Sequence, residues 1–303
     1  MRAVIDLGTN TFHLLIADLE AACIDEVLQL QIPVKIGSGG INKGFITPEA
    51  WARGMAAIEI FAEQIAAYKV KRTIAIGTSA IRNASNGKDF LAEIYKRFGI
   101  EVGSIDGKRE AELIYRGVQH SFPFPAQPVW VMDIGGGSVE FILGQQNKII
   151  WKQSFEIGAA RLIDKFPLSN PATAQELAAL NGYILQILEP VWQQQAIYQS
   201  PYLIGAAGSF DTLREVLTED LNQAPALLSK HASSIGLNQA ALFSNLIQNS
   251  TIAQRTQLKG LVDFRVDMIV AATCLMQIAL DNLGSTQIIA SHYALKEGIL
   301  LSY

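Results

Sequence analysis

Cysteine is close to absent from this 303-residue sequence: Cys23 and Cys274 are the only two, each inside an apolar segment. Two such thiols make neither a disulfide framework nor a paired zinc spacing, and they point to a reducing compartment. A surplus of positive charge is missing too. Lys and Arg number 24 against 28 Asp and Glu, a formal net charge of -4, which excludes the broad basic face of a protein that coats nucleic acid but leaves room for a local basic channel. The most membrane-like stretch, 268–276, falls far short of the roughly 20 apolar residues a span requires; it is bounded by Asp267 and Asp281 and reads as a buried helix. Met1 runs straight into apolar residues 3–5 without a charged leader or cleavage site, so a cytoplasmic protein without membrane attachment is expected. His13, His120, His231 and His292 have no ligand spacing and read as structural. There is no Gly-x-x-x-x-Gly-Lys-Ser/Thr and no Gly-x-Ser-x-Gly, which argues against a P-loop and against serine hydrolase chemistry.

Half of the residues are hydrophobic, so the chain is globular and long enough for two domains, each with its own core. Its organising stretch is Val131-Met132-Asp133-Ile134-Gly135-Gly136-Gly137-Ser138-Val139-Glu140, a strand, a glycine turn and a second strand. Consecutive glycines let successive N–H groups point into one concavity and hold an anion. Carboxylates at Asp133 and Glu140 beside such a turn make sense when a cation lies between them and the anion, as in a magnesium phosphate site. Near the N-terminus, Asp6-Leu7-Gly8-Thr9-Asn10-Thr11-Phe12-His13 overlays Asp133 to Glu140 without a gap, repeating the acid, the glycine and the hydroxyl of Thr11 and Ser138. An internal repeat of this kind predicts two related units facing each other.

In the first half, strands are expected at 2–6, 11–18 and 26–36 as a meander, then a helix over 48–68 capped by Thr47. A short strand at 73–76, the turn Gly77-Thr78-Ser79 and a brief helix carrying Arg82 follow, with a helix at 89–98, a strand at 102–105 and a helix at 108–118. Three prolines between Ser121 and Pro128 stop that helix and set a domain boundary, giving units 1–122 and 123–303. The second half repeats the order, with strands at 130–134, 139–143 and 148–156, helices at 158–165 and 172–194, and a strand at 202–204 entering the turn Gly205-Ala206-Ala207-Gly208-Ser209. A helix at 210–217 leaves it. Residues 218–259 read as polar loops and helices without an upstream counterpart, an insertion, before a helix at 264–280, a strand at 287–290 and a helix at 294–301 that can pack back on the first unit. The fold class is α/β, two duplicated units around a central cleft.

If the units face each other, the two Asp-x-Gly turns and the turns at 78–82 and 204–209 converge. They supply backbone donors, the hydroxyls of Thr9, Thr11, Thr78, Ser138 and Ser209, and the Arg82 guanidinium, which suits a phosphate chain. In the helix that follows Asp106, Glu110 shares the buried face with Leu113, Ile114 and Gly117, whereas Glu112 lies on the face of Arg116 and can pair with it. Partial burial would raise the pKa of Glu110 and make it a better base; a surface Glu stabilising the helix N-terminus is equally open on spacing alone.

Taken together, Ala3 to His13, Gly77-Thr78-Ser79-Ala80-Ile81-Arg82, Glu110-Ala111-Glu112-Leu113-Ile114-Tyr115, Asp133 to Glu140, Gly208-Ser209 and the closing Ala294-Leu295-Lys296-Glu297-Gly298 resemble, in order, the exopolyphosphatase and guanosine pentaphosphate phosphohydrolase family. The resemblance implies an actin-like fold of the ribonuclease H, hexokinase and Hsp70 type. It also implies a hydrolase that uses Mg2+ to remove the terminal phosphoryl group of polyphosphate or guanosine pentaphosphate, and a homodimer. By position, Glu110 corresponds to the base for the attacking water, and Asp133 and Glu140 to the metal-side carboxylates, with Asp6 as their counterpart in the repeat. Thr9, Asn10, Thr11, Arg82, Gly135, Gly136, Gly137, Ser138, Gly208 and Ser209 would hold phosphoryl oxygens. Arg109 and Glu112 depart from the family, many of whose members carry an acid and an Arg at these positions. Long members also continue into a C-terminal helical domain beyond the point where this sequence stops. A sugar or acid kinase with Asp133 as base, and a non-catalytic nucleotide sensor or actin-like assembly protein, are the alternatives.

Overall fold

The computed structural model describes residues 1–20 and 23–303. Its first half runs β1 (Arg2–Leu7), β2 (Phe12–Glu20), β3 (Cys23–Ile32), α1 (Pro48–Ala67), β4 (Arg72–Gly77), α2 (Ser79–Asn83), α3 (Gly87–Phe98), β5 (Val102–Ser104) and α4 (Gly107–Ser121). The apolar β1 is central to a five-stranded sheet, with β2 and β3 added antiparallel on one side and β4 and β5 parallel on the other. β3 stops at Ile32 and not at 36, because Pro33 has no N–H to give the ladder. The chain turns there into a loop whose Lys35 and Gly37 N–H groups donate to the carbonyls of Asn10 and Thr9 at 2.7 and 3.2 Å. α1 begins as its sequence dictates: Pro48 needs no N–H partner in the first turn, and Thr47 Oγ1 accepts from the Ala50 N–H at 3.3 Å.

The second half runs β6 (Val129–Ile134), β7 (Val139–Gln145), β8 (Lys148–Phe155), α5 (Ala159–Lys165), α6 (Ala174–Ile187), α7 (Glu189–Tyr198), β9 (Tyr202–Ala206), α8 (Gly208–Glu219), β10 (Ala226–Ser229), β11 (Ala232–Ile235), α9 (Leu237–Asn249), α10 (Ile252–Thr256), α11 (Ile269–Leu283), β12 (Gln287–Ser291) and α12 (Leu295–Ser302). Its sheet has the order β10-β11-β12-β9-β6-β7-β8. Within it, β8-β7-β6-β9-β12 repeats β3-β2-β1-β4-β5 in order and in the sense of every pairing. The duplicated α/β architecture read from the repeat is therefore the observed one.

Two local expectations are corrected. The single helix over 172–194 is two helices, α6 and α7, because Pro190 has no N–H and starts a new helix in its first turn. The insertion over 218–259 contains the hairpin β10–β11, which extends the sheet past β12; these four-residue strands, rich in Ala and Ser, lack the alternation that marks a strand in sequence.

What couples the halves is a pair of helices between the sheets. α4 leaves the first sheet and packs on β7 and β8 of the second, while α12 leaves the second and packs on β1 of the first as well as on α4. The α4–α12 contact is backbone to backbone: a Cβ on Gly117 would overlap the Ala294 carbonyl, and one on Gly298 the Leu113 carbonyl. Only glycine allows that approach. Around it, Val4, Ile114, Val118, Val131, Ile142, Ile299 and Leu300 form one apolar cluster drawn from both halves. No helix among the described residues is long and apolar enough to cross a membrane.

Candidate active site

β1 is the middle strand of its sheet and β6 its counterpart in the repeat, and each ends in a glycine turn that hands the chain to an antiparallel neighbour. Across these ladders Asp6 lies opposite His13 and Asp133 opposite Glu140, so the gapless overlay of the two sequences is also their register. In the second turn, the carbonyls of Gly135, Gly136 and Gly137 face the start of α5, accepting from the Ala159, Ala160, Arg161 and Gly158 N–H groups. Since N–H and C=O of one trans peptide point in opposite directions, the N–H groups of Gly136, Gly137 and Ser138 are turned the other way. The turn also fits tightly against the first half, because a Cβ on Gly137 would overlap Thr9 Oγ1 and crowd Ser79 Oγ.

Thr9, Asn10, Thr11, Gly135, Gly136, Gly137, Ser138, Gly208 and Ser209 all line one cavity of about 190 Å³, together with Asp6, Glu110, Asp133 and Glu140. Of the candidate residues, Arg82 alone is elsewhere. It stands behind Glu110, where Nη1 donates to Glu110 Oε2 at 2.9 Å and to the Ile105 carbonyl at 3.0 Å, and Nη2 donates to Glu156 Oε1 at 2.9 Å. In this conformation its guanidinium is committed to carboxylates, not turned to the cavity.

Glu110 reaches the second sheet because α4 is pressed onto it. Asp106 Oδ1 accepts from the Arg109 N–H at 2.7 Å to cap the helix, and a Cβ on Gly107 would overlap Ser154 of β8. One turn later Glu110 is buried, 6 % exposed, on the same face as Leu113, Ile114 and Gly117, as helical geometry requires. Burial pushes its carboxyl up to about 6, with Arg82 limiting the rise. Glu112 is on the outer face but does not pair with Arg116. Its partners are Arg109, at 3.0 Å, and Lys152 of β8, so the two residues that depart from the family pattern form an ion pair with each other. Helical spacing alone missed this because Lys152 comes from another element.

The cavity is strongly acidic. Burial first, then the charges of Glu110 and Asp133, push Asp6 up to about 8; burial and Glu110 push Asp133 up to about 7; burial and the same neighbours raise Glu140 well above the carboxylate range against a 2.6 Å hydrogen bond donated by Ser154 Oγ. Among the described residues Asp6 Oδ1 is buried and accepts no hydrogen bond. With Asp211, five carboxyl groups line the space against two fixed cations, Arg265 and Lys296, so without metal several of them are held protonated by burial and by one another. Buried oxygen donors, one of them without a partner, fit a hard divalent cation.

Several residues in and around the cavity escaped sequence reasoning. His13, read as structural, lines the cavity and is held neutral, its pKa lowered to about 3 chiefly by burial. His292 Nδ1 lies 3.3 Å from Asp211 Oδ1, and both face the same space. Glu156 joins the halves by accepting from Ser79 and Arg82 of the first and Arg161 of the second at 2.6 to 2.9 Å; burial raises its pKa but the hydrogen bonds from Ser79, Asn83 and Arg82 prevail and hold it low. Lys296 reaches in from α12. One signal was present: ligands gather beyond the carboxyl ends of parallel strands, so the residues after β12 had to open into the same cleft as those after β6 and β9.

The model of the Ppx/GppA phosphatase family matches residues 15–303. Among solved structures, the chain is similar to an exopolyphosphatase from Cytophaga hutchinsonii, at 39 % identity over 99 % of this chain and 96 % of that one, with a TM-score of 0.95. It is 29 % identical to exopolyphosphatase 2 of Mycobacterium tuberculosis over 99 % of this chain and 97 % of the relative. It is also 29 % identical to a guanosine-5'-triphosphate,3'-diphosphate pyrophosphatase of Photobacterium profundum, over 71 % of this chain but only 43 % of that longer protein.

Proposed function

Because this chain belongs to the Ppx/GppA phosphatase family, we propose that it is a phosphoanhydride hydrolase that releases terminal phosphate from inorganic polyphosphate, from guanosine pentaphosphate, or from both. The observation that carries this reading is the convergence of Glu110, on a helix from the first half, with the buried Asp133–Glu140 pair of the second. One buried base beside a phosphate turn suits attack by water and needs no nucleophile from the protein.

In the reaction, the Glu110 carboxylate takes a proton from a water whose oxygen attacks the terminal phosphorus. The bond to the bridging oxygen breaks, its electron pair leaves with the shortened chain, and orthophosphate is released. The N–H groups of Gly136, Gly137 and Ser138, with Thr9, Asn10, Thr11, Gly135, Gly208 and Ser209, hold phosphoryl oxygens and stabilise the charge that spreads over them. Arg82, tied to Glu110 and Glu156, keeps the base ionised and oriented, and can reach a phosphoryl group only by giving up one of these partners.

Asp6, Asp133 and Glu140 would hold magnesium, which when bound neutralises phosphoryl charge. Magnesium usually takes one or two carboxylates and fills its octahedron with water and substrate oxygens, so not all three need ligate it directly. We take residues 1–122 and 123–303 as the two units, with α12 crossing back. The protein acts in the cytoplasm as a homodimer, which light scattering would read.

With so few cations on the cavity wall, a long polyanion finds little to hold, so shortening is distributive. The deciding experiment follows phosphate release with magnesium on tripolyphosphate, long polyphosphate and guanosine pentaphosphate side by side. Release from none of them overturns the hydrolase reading. A gel showing only full-length chain and phosphate throughout digestion overturns distributive action.

A further inference from the structure

We infer that Lys296 is a substrate-contacting residue, whose ammonium takes oxygens of the phosphoryl group attacked by the water that Glu110 activates. The inference rests on the hydrolase reading above and adds a residue to its site.

Two fixed cations line the cavity, and they differ in what they are free to do. The Arg265 guanidinium lies against the backbone of Gly208 and its Nη1 donates to Thr212 Oγ1 at 3.0 Å, so part of its donor set is turned to α8. The Lys296 ammonium has one carboxylate within ion-pair distance among the described residues, Glu297 at 2.9 Å, and its side chain, 15 % exposed, borders both this cavity and a neighbouring pocket on the side of Glu26 and His231. An ammonium carries three donors, so this single partner leaves donors for the cavity, where its field already favours the ionised forms of Asp6 and Asp133.

Its position is fixed by the fold. Glu297, 1 % exposed, anchors the residue next to Lys296: Oε2 accepts from the Ala294 N–H at 2.8 Å and Oε1 faces the ammonium. α12 itself is locked to α4 through Gly117 and Gly298, and α4 carries Glu110. The base and the ammonium therefore ride on one rigid pair of helices, so a phosphoryl group held by the ammonium is held at a fixed offset from the base. A lysine used as a point charge on phosphate fits such a wall, whereas a lysine that merely neutralised Glu297 would need no access to the cavity.

The two roles are separated by comparing Lys296→Met, Lys296→Arg, Glu297→Gln and the double variant Lys296→Met with Glu297→Gln. Tripolyphosphate is the probe, with magnesium present, read by phosphate release, calorimetric binding and thermal melting. Lys296→Met should lower kcat/KM about 10- to 100-fold, the loss of one charged hydrogen bond, and Lys296→Arg should recover part of it. The double variant no longer buries an unpaired carboxylate, so it should regain thermal stability while its kcat/KM and Kd stay poor. Recovery of wild-type kcat/KM by the double variant, or a Lys296→Met enzyme within about twofold of wild type, overturns the inference. Wild-type protein that binds tripolyphosphate without releasing phosphate would sink the hydrolase reading, and the calorimetric series would still decide whether Lys296 touches the substrate.

Discussion

Directly across the ladder from its aspartate, the first half of the molecule carries His13 and the second half Glu140. Strand, turn and register are otherwise repeated, and Glu140 is buried and His13 partly so, yet desolvation acts on them in opposite directions. An imidazole loses its proton, and the pKa of His13 falls to about 3; a carboxyl gains one, and that of Glu140 climbs well above its usual range. Desolvation disfavours charge whatever its sign, so one duplicated scaffold yields a neutral wall in one half and a latent pair of anions in the other. The asymmetry shows how a symmetric fold acquires a polar site: in the proposed site the Asp133–Glu140 pair of β6 and β7 forms most of the metal side, and the first half supplies hydroxyls, the Asp6 oxygen that has no hydrogen-bond partner among the described residues and, through α4, the proposed base Glu110.

The largest effect is expected at Glu110, which lines the cavity with both turns. Glu110→Gln keeps the shape of the side chain and loses its basicity, so turnover should fall about 10²- to 10⁴-fold while calorimetry still detects substrate binding. Glu112→Gln, on the outer face, should be mild; equal losses in the two variants would remove the distinction between the faces of α4.

Next comes the metal. Asp133→Asn and Glu140→Gln should raise the magnesium needed for half-maximal activity about 10- to 100-fold, a loss of the size seen when the support of a metal site is removed. His13→Gln should leave the titration near that of wild type. A His13 variant that shifts it as far as Glu140→Gln does would end the asymmetry.

A third test reads pH. Glu110 acts as base only when ionised, and its pKa lies at about 6, so kcat/KM should rise with pH through that value and flatten above it, changing about tenfold per unit on the acid side. Arg82 holds the pKa of Glu110 down, so Arg82→Met should move this limb to higher pH. An unmoved limb would mean that Arg82 does not act through the base.

The smallest effect concerns stability. Asp6 titrates near 8 in the fold against an ordinary 3.8. For a carboxyl raised in this way, the stability it contributes is full below the unfolded value and is lost as pH climbs towards the folded one. Without metal, Asp6→Asn should therefore melt increasingly above wild type between pH 4 and 8, by about 2 °C or more at the upper end. Magnesium should close the gap by restoring the wild type. A gap independent of pH would argue for packing and not for ionisation.

The sequence by itself determined the duplication, the two glycine turns, the Asp133–Glu140 pair and the inward face of Glu110. All of these follow from short-range rules: a repeat has a register, a glycine turn needs its glycines, and a helix has a face. It could not decide what those groups meet. That Arg82 stands behind the base, that Glu112 pairs with Lys152, that Glu156 joins the halves and that Lys296 enters the cavity all depend on how α4 and α12 are exchanged between the two sheets. Backbone contact at Gly117 and Gly298 fixes that exchange. Arg82 and Glu156 are 74 positions apart and Glu112 and Lys152 are 40 apart, and no local pattern encodes such a meeting; only the packing of the shared core brings these charges together.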